Sequence, residues 1–225
     1  MELTNPRYQK QGIHLLSSIF TVDKGIVKVL LIKRKNEPYK DYWGLVGGAL
    51  YNDETVIDGL NREISSKSGL ENIELKFCGI YDEIKSTPKF RMIALSYIGL
   101  IDHTKVEILK DTLKTSNADW FPLDKIPTLA YEHNEIIDEA VKYLKKEIFT
   151  TDILKVFYPD GFTIPELQMI TESIINKNLD RRNFRKKILS FDFIYDTNRY
   201  RNVSGKKPAK IYNFKDNYDY NKSVF

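Results

Sequence analysis

The sequence has a single cysteine, few glycines and prolines, and no long apolar run. Cys78 is the only cysteine among 225 residues, so an intramolecular disulfide is excluded. No segment approaches the ~18 apolar residues of a membrane-spanning helix, and the first residues, MELTNPRYQKQG, contain no apolar signal region. With 11 glycines, 8 prolines and 42% apolar residues, the composition is that of an ordinary globular protein. We therefore expect a cytoplasmic protein that has no membrane segment.

Acidic residues are scarce in one part of the chain only. Residues 1–150 contain 21 Lys and Arg against 22 Asp and Glu, whereas residues 151–225 contain 14 against 9. Within 177–215 the imbalance reaches 12 basic against 3 acidic residues. This asymmetry predicts two domains, an almost neutral one over 1–150 and a basic one over 151–225 that binds a polyanion.

The first 150 residues alternate strand-like and helix-like segments. IHLLSSIF and IVKVLLIKR are apolar, β-branched runs joined by TVDKG, which predicts a hairpin. A helix is expected from about Asp53 to Ser68, with Asn52 or Asp53 as its N-cap and Gly69 at its end. Its expected buried stripe is Val56, Ile57, Leu60 and Ile64. Two more strands, IELKFCGIYDE and RMIALSYIGLI, precede a second helix over roughly Glu132 to Glu147.

The basic region has the pattern of a winged helix-turn-helix. In FTIPELQMITESIIN, Thr163 and Glu166 have capping-box spacing, and Pro165 fits the first helical turn. A short break, KNL, leads to a second helix, DRRNFRKKILSF, which Asp180 can cap. The strand-like segments FDFIYD and AKIYNF then flank the basic stretch NRYRNVSGKKP. Helix, short turn, basic helix and basic hairpin together predict this DNA-binding fold.

WGLVGGAL and NREISSKSGL together contain a spaced motif. Counted from Gly48, the pattern G-x5-E-x7-R-E-U-x-E-E-x-G-U, where U is a bulky aliphatic residue, fits without an insertion. The matching residues are Gly48, Glu54, Arg62, Glu63, Ile64, Gly69 and Leu70. The motif resembles the Nudix box, and this resemblance implies a Nudix-like α/β (α+β) sandwich over residues 10 to about 148. Ser66 and Lys67 stand where the box has paired glutamates.

Those two departures remove the metal-binding carboxylates. Positions 63, 66 and 67 share one narrow arc of a helix, and three carboxylates there would bind Mg²⁺, which polarises a diphosphate and activates water. Here Ser66 supplies a hydroxyl, and the ammonium of Lys67 lies four residues after Glu63, the orientation that favours an ion pair. We therefore predict no metal, no cofactor, no catalytic residue, and weak or absent hydrolysis.

A ligand pocket can persist where the metal site is lost. Trp43 beside two glycines would place an aromatic edge near backbone that a ligand can approach closely. Taken singly, a polar candidate is more often a solvated loop residue, and Arg62 and Glu63 alternatively only tie their helix to the neighbouring loop. As a set, the candidates suit a ligand with hydroxyls or phosphates. They are Trp43, Gly47, Gly48, Arg62, Glu63, Glu83, Lys85, Arg91 and His133, with Tyr81, Asp82, Lys89 and Glu132 as further candidates at the same strand and helix ends.

The second helix of a helix-turn-helix enters the major groove, and the wing contacts phosphates. On this basis the main candidate DNA contacts are Arg181, Arg182, Arg185, Lys186, Arg199, Lys206 and Lys207. We expect Arg201 and Lys210 of the wing to contact the DNA backbone in addition.

The local sequences FTIPELQ, LDRRNFRKKIL and GKKPAKIYNF, with YEHNEII and KFRMIALSYIGLI in the first half, are similar in order and spacing to the Nudix-related transcriptional regulators. This resemblance implies a homodimer that binds double-stranded, pseudo-palindromic operator DNA. Some members are similar to regulators of NAD metabolism that sense ADP-ribose, and others to regulators of arabinose or other sugar use. STPKFR stands here in place of the Asp-Pro-Arg-Gly-like loop of the ADP-ribose sensors.

The leading hypothesis is a ligand-responsive DNA-binding regulator, a repressor whose degenerate Nudix domain senses an arabinose-like or ADP-ribose-like effector. One alternative is a Nudix hydrolase of nucleoside diphosphate derivatives, in which Glu54, Glu63 and a distant carboxylate such as Glu83 or Glu132 bind metal, with a basic tail for nucleic acid or a partner. A third reading is a non-catalytic RNA-binding module.

Overall fold

A computed structural model of the chain describes residues 11–83, 91–202 and 207–220, and at Glu83 it describes the backbone only. The candidate residues Lys85, Lys89 and Lys206 lie outside these ranges. The elements run in the order β1 (Gln11–Asp23), β2 (Ile26–Arg34), β3 (Trp43–Gly44), β4 (Val46–Ala49), α1 (Val56–Ser68), β5 (Leu75–Glu83), β6 (Arg91–Leu100), β7 (Thr115–Pro122), α2 (His133–Glu147), α3 (Ile164–Ile175), α4 (Arg181–Ile188), β8 (Ile194–Arg201) and β9 (Ala209–Phe214).

Seven strands form one mixed sheet in the first domain. The main path is β3-β2-β1-β6-β5, with β4 added on β1 and β7 on β2. The predicted hairpin of β1 and β2 is confirmed, and β1 also runs parallel to β6 from the Gln11–Arg91 pair to the Phe20–Leu100 pair. The sequence did not predict β3, β4 or β7, because the first two are very short and the segment TSNADWFP of β7 has no apolar run.

The helix α1 begins later than the sequence predicted. Thr55, and neither Asn52 nor Asp53, is the N-cap: its side chain accepts a hydrogen bond from the Asp58 backbone N–H in a reciprocal capping box. The predicted end at Gly69 is confirmed, since this residue adopts the left-handed conformation with φ of 73°. Ile57, expected in the buried stripe, is exposed, because the inward arc of the helix runs through Leu60, Glu63 and Ile64.

The predicted winged helix-turn-helix is confirmed. Thr163 and Glu166 form the expected capping box of α3. Asp180 caps α4 by accepting a hydrogen bond from the Asn183 backbone N–H at 2.8 Å. Phe184 and Ile188 anchor α4 in the core, which leaves its other surface to solvent.

One continuous apolar core joins the two domains. The helix α3 packs on β2 and on α2, and the Val27 backbone N–H donates a hydrogen bond of 2.9 Å to the Ser173 hydroxyl. Gly25, with φ of +81°, lies against Met169, whose sulfur would be 1.9 Å from an added Cβ. The predicted division at residue 150 falls just after α2 and stays a prediction. None of the helices in the described ranges is long and apolar enough to cross a membrane.

Candidate functional site

The centre of the Nudix-box motif is a buried carboxylate surrounded by cations. The Glu63 side chain is 2% exposed, and the Lys67 Nζ lies 2.8 Å from its Oε2. The Arg62 guanidinium donates to its Oε1, and the Lys114 Nζ is 3.9 Å from that same oxygen. Burial opposes ionisation of Glu63, but the hydrogen bonds and charges of Lys67 and Arg62 outweigh it and hold the pKa of the carboxyl below its usual value. The carboxylate is therefore neutralised by the protein itself.

Arg62 also fastens α1 to the loop before it. Its Nε and Nη2 donate to the two carboxylate oxygens of Glu54 at 2.8 and 2.6 Å, and Nη2 donates to the Ala49 carbonyl at 2.9 Å. The hydrogen bonds from Arg62 lower the pKa of Glu54 to about 2. Both residues thus have a structural role, and the ligand contact predicted for Arg62 stays a prediction.

The two glycines of the motif make room for the protein's own atoms. A Cβ added at Gly48 would lie 2.2 Å from the Glu63 carboxyl carbon, and one at Gly47 would lie 2.0 Å from the Leu15 carbonyl oxygen. Both glycines are buried. The groups that approach this backbone closely are therefore a carboxylate and a neighbouring strand, in the place where the sequence led us to expect a ligand.

These residues do not fit the divalent ion that a Nudix box implies. Mg²⁺ needs several oxygen ligands, mostly anionic ones. Two suitable oxygens already face the Lys67 ammonium, since Glu63 Oε2 is ion-paired with it and the Gly47 carbonyl accepts its hydrogen bond. Ser66 donates its hydroxyl to the Glu63 carbonyl oxygen at 3.3 Å, and Glu54 is engaged by Arg62. In the described ranges, no group of three His, Cys, Asp or Glu side chains is arranged to hold a metal.

A cavity of about 440 Å³ lies between β1, β5, β6 and the start of α2. Its volume is within the usual range for small-molecule sites. The cavity brings His133 to the same wall as the further candidates Tyr81, Asp82 and Glu132, and adds His14 and Tyr131, which the sequence did not indicate. Its polar and aromatic lining consists of His14, Tyr81, Asp82, Tyr131, Glu132 and His133.

Two other candidates of the sequence stand apart from this lining. Arg91 is exposed and is held by Asp82, whose Oδ1 accepts a hydrogen bond of 3.0 Å from its Nε, so it lies next to the lining. Trp43 instead packs its ring against Phe121, with the centroids 4.7 Å apart. The expected aromatic edge therefore belongs to the protein core.

The two histidines of the cavity are neutral at pH 7. His133 is buried, and its Nδ1 accepts a hydrogen bond of 3.0 Å from the Leu45 backbone N–H. Burial lowers the pKa of His133 to about 3, and the charges of Arg34 and Lys67 act in the same direction. Burial, followed by the charge of Lys67, lowers the pKa of His14 to about 4.

An aromatic cluster beside the cavity was missed at the sequence level. Tyr131 has φ of 52°, an unusual conformation for a bulky residue. Its ring centroid lies 4.6 Å from that of Tyr39 and 5.3 Å from the guanidinium carbon of Arg34. No local pattern could reveal the cluster, because its members are distant in sequence and polar-aromatic loop residues give no periodic signal.

The solvent-facing surface of α4 is basic. Its four candidate DNA contacts are exposed, and in the parts of the chain that the structure describes none of them takes part in an ion pair. Arg185 also donates to the Tyr212 hydroxyl at 3.3 Å, which connects α4 to the hairpin of β8 and β9. We call these residues the α4 cations: Arg181, Arg182, Arg185 and Lys186.

The wing is less available than the sequence predicted. Arg199 and Lys207 are exposed, and Arg199 donates to the Asp160 carbonyl at 3.0 Å. Arg201, expected to contact phosphate, instead donates to Glu166 at 2.7 and 2.8 Å, because β8 lies beside the first turn of α3. Lys210 is likewise paired with Asp196 at 2.6 Å across the hairpin.

Comparison with known proteins agrees with this division. Residues 17–143 match the family model of the NUDIX domain, and residues 157–214 match that of the NrtR DNA-binding winged helix domain. The ADPR responsive transcriptional repressor NtrR of Acinetobacter baylyi is 28% identical over 209 residues, which cover 91% of this chain and 82% of that protein. The ADP-ribose pyrophosphatase of Methanocaldococcus jannaschii is 31% identical over 120 residues, 52% of this chain and 67% of that one.

The fold agrees as well. The crystal structure of Shewanella oneidensis NrtR complexed with a 27mer DNA has a TM-score of 0.73 and 24% identity, covering 90% of this chain and 93% of that chain. The chain therefore belongs to the Nudix family. Within it, the winged helix places the chain among the Nudix-related transcriptional regulators of the NrtR type, as its motifs indicated.

Proposed function

We propose that this protein is a transcriptional repressor that binds operator DNA through α4 and the wing, and that responds to ADP-ribose without hydrolysing it. One observation carries the proposal. A Nudix domain whose box carboxylate is neutralised by Lys67 and Arg62 is joined to a helix whose cations have no ion-pair partner among the described residues. The first feature favours a receptor over a hydrolase, and the second favours contact with a polyanion.

ADP-ribose is supported by the relatives and by the chemistry of the cavity. The two relatives described above are named for ADP-ribose, one as a responsive repressor and one as a pyrophosphatase. The carboxylates of Asp82 and Glu132 can accept hydrogen bonds from ribose hydroxyls, and Arg34, whose guanidinium lies over the Tyr131 ring of the cavity wall, can bind a diphosphate. Neither of these relatives is named for a sugar such as arabinose, so we do not retain that effector.

DNA recognition would use α4 in the major groove. We propose that Arg182 and Arg185 contact guanine edges, for which Arg is the most frequent partner, and that Lys186 and Lys207 contact phosphates. We propose a homodimer in the cytoplasm, so that two α4 helices meet half-sites about one DNA turn apart.

The helix α2 is the physical connection between the two functions. Its first turn, with His133, lines the cavity, and Val141 and Lys145, farther along the helix, face α3 across a second cavity between the domains. An effector that binds one placement of α2 more tightly shifts the winged helix. A coupling of about 1 to 3 kcal/mol changes operator affinity by roughly 5- to 150-fold.

The experiment titrates the full chain onto a labelled duplex from the promoter region next to its own gene, with and without ADP-ribose. We expect ADP-ribose to weaken DNA binding about 5- to 150-fold, and arabinose to leave it unchanged. Tyr131→Ala removes a cavity wall and should abolish the ADP-ribose effect, whereas Leu113→Ala, at a residue that is 97% exposed and outside the cavity lining, is the control. DNA binding that is indifferent to ADP-ribose contradicts the proposed effector.

A second candidate is an ADP-ribose pyrophosphatase, which the similarity to the enzyme of M. jannaschii favours. The two candidate functions can be distinguished by incubating the same protein with ADP-ribose and Mg²⁺. Chromatography then shows whether AMP and ribose 5-phosphate have formed. Turnover that Glu63→Gln abolishes establishes the enzyme and removes the receptor.

A further inference from the structure

The Lys67 side chain is placed like a bound cation. It is only 13% exposed, and its ammonium faces two oxygens of different origin: it is ion-paired with the Glu63 carboxylate from α1 and donates a hydrogen bond to the Gly47 carbonyl from β4. A carboxylate and a backbone carbonyl are the oxygen types that hold hard metal ions in proteins. An ammonium has three donors, so these two oxygens leave one for a further acceptor.

The charges around Glu63 balance without any metal. The Glu63 charge is matched by Lys67, the Glu54 charge is matched by Arg62, and Lys114 adds a positive charge 3.9 Å from Glu63 Oε1. A box with three carboxylates would be strongly negative and would repel a diphosphate until a divalent ion arrived. This cluster is instead neutral to positive as it stands, which already suits an anionic ligand.

We propose that Lys67 is a built-in cation, which takes the place of the divalent ion and makes effector binding independent of Mg²⁺. The identity of the anionic effector, ADP-ribose, rests on the proposed function, whereas the exclusion of metal at Glu63 does not. Lys67 is thus a positioning and specificity-determining residue, since it holds the buried carboxylate and decides that no metal enters.

Substitution of Lys67 should restore a metal site. Lys67→Glu removes the ammonium, frees the Gly47 carbonyl and places a second carboxylate four residues after Glu63 on the same face of α1. Since affinity at oxygen sites rises with the number of charged ligands, Mn²⁺ should bind this variant at least about tenfold more tightly than the wild-type protein. Lys67→Arg keeps a cation and is the matched control.

The first measurement is of Mn²⁺ binding to the full chain without effector. Binding is read from the decrease in the electron paramagnetic resonance signal of free Mn²⁺. We expect the wild-type protein and Lys67→Arg to bind no more Mn²⁺ than Glu63→Gln does. Lys67→Glu should bind it, and Mn²⁺ should raise the thermal unfolding midpoint of this variant by mass action. Wild-type Mn²⁺ binding that disappears in Glu63→Gln overturns the proposal, whether or not Lys67→Glu folds.

The second measurement compares ADP-ribose affinity of the wild-type protein in EDTA and in Mg²⁺. Affinities within twofold of each other support the proposal, and a tenfold or greater loss in EDTA overturns it. If ADP-ribose binds in neither condition, the proposed effector has failed, and the Mn²⁺ measurement decides the role of Lys67 separately.

Discussion

The cations of the two domains differ in what they contact. In the Nudix domain, Arg62 and Lys67 face Glu54 and Glu63 within the protein, with Lys114 close by. On α4, the cations point to solvent and have no ion-pair partner within the described ranges. The wing contains both kinds, since Lys210 is paired, whereas Lys207 is exposed and forms no ion pair with any residue that the structure describes.

The difference separates cations that hold the fold from cations that can bind an external anion. A paired and buried cation gains little by meeting a polyanion, because it must first leave its carboxylate. An exposed and unpaired cation loses no such contact and releases counterions from DNA when it binds. Counting basic residues along the chain therefore overestimates the nucleic-acid surface, and the ion-pair partners correct the count.

The largest expected effect is on α4. Replacing Arg182 and Arg185 together with alanine should weaken operator binding by about 4 kcal/mol, roughly 1,000-fold, since each lost base contact costs about 1 to 3 kcal/mol. Fluorescence anisotropy with the labelled promoter duplex measures it. Lys110→Ala, an exposed lysine of the Nudix domain, is the control. If the double variant binds the duplex as tightly as the wild-type protein does, α4 is not the recognition helix.

The next effect tests the paired cations. Lys67→Met leaves the buried Glu63 with fewer partners and should lower the free energy of unfolding by about 3 kcal/mol. Urea unfolding measures it, and Glu63→Gln combined with Lys67→Met should recover much of the loss, because the double variant leaves no unmatched charge. Lys142→Met, which breaks an exposed pair with Glu139, should change stability by at most about 1 kcal/mol. Equal losses for Lys67 and Lys142 would show that burial of the pair is irrelevant.

The sequence predicted elements that short-range rules determine. The capping box of Thr163 and Glu166, the end of α1 at Gly69 and the first hairpin all follow from local spacing, and all are confirmed. The Glu63–Lys67 ion pair is likewise a four-residue relation on one helix face, and it is present. These features need no knowledge of distant contacts.

Contacts between distant segments could not be predicted from spacing. The cavity joins His14 with His133, and Arg201 meets Glu166, although these residues are far apart in sequence. The glycines of the motif looked like ligand-facing backbone, yet Gly48 is required by the Glu63 carboxylate. A spaced motif therefore indicates which residues matter and leaves open what they touch.

A smaller effect on stability is expected from protonation of the two cavity histidines, His14 and His133. The pKa of His14 is about 4 and that of His133 about 3 in the folded protein, against 6.5 when unfolded. Below pH 6.5 the unfolded chain therefore binds more protons than the folded chain does. The stability that comes from keeping these histidines neutral is fully present above that pH and is lost as the pH decreases. Each histidine should lower the free energy of unfolding by about 1.5 kcal/mol between pH 6.5 and pH 5.

Urea unfolding at several pH values measures this dependence. His14→Gln should remove about half of it, because His14 and His133 contribute similar amounts. A stability that does not change between pH 6.5 and pH 5 would mean that neither cavity histidine is held neutral.

The smallest effect compares the two kinds of lysine within the wing. Lys207→Ala should reduce the slope of log affinity against log salt by about 0.9, the value for one phosphate contact, because this lysine is exposed and unpaired among the described residues. Lys210→Ala should change the slope by clearly less, since Asp196 already matches its charge. Anisotropy titrations at several salt concentrations measure both slopes. Equal slopes for the two variants would show that DNA draws Lys210 away from Asp196, and the distinction between paired and unpaired cations would then not hold in the wing.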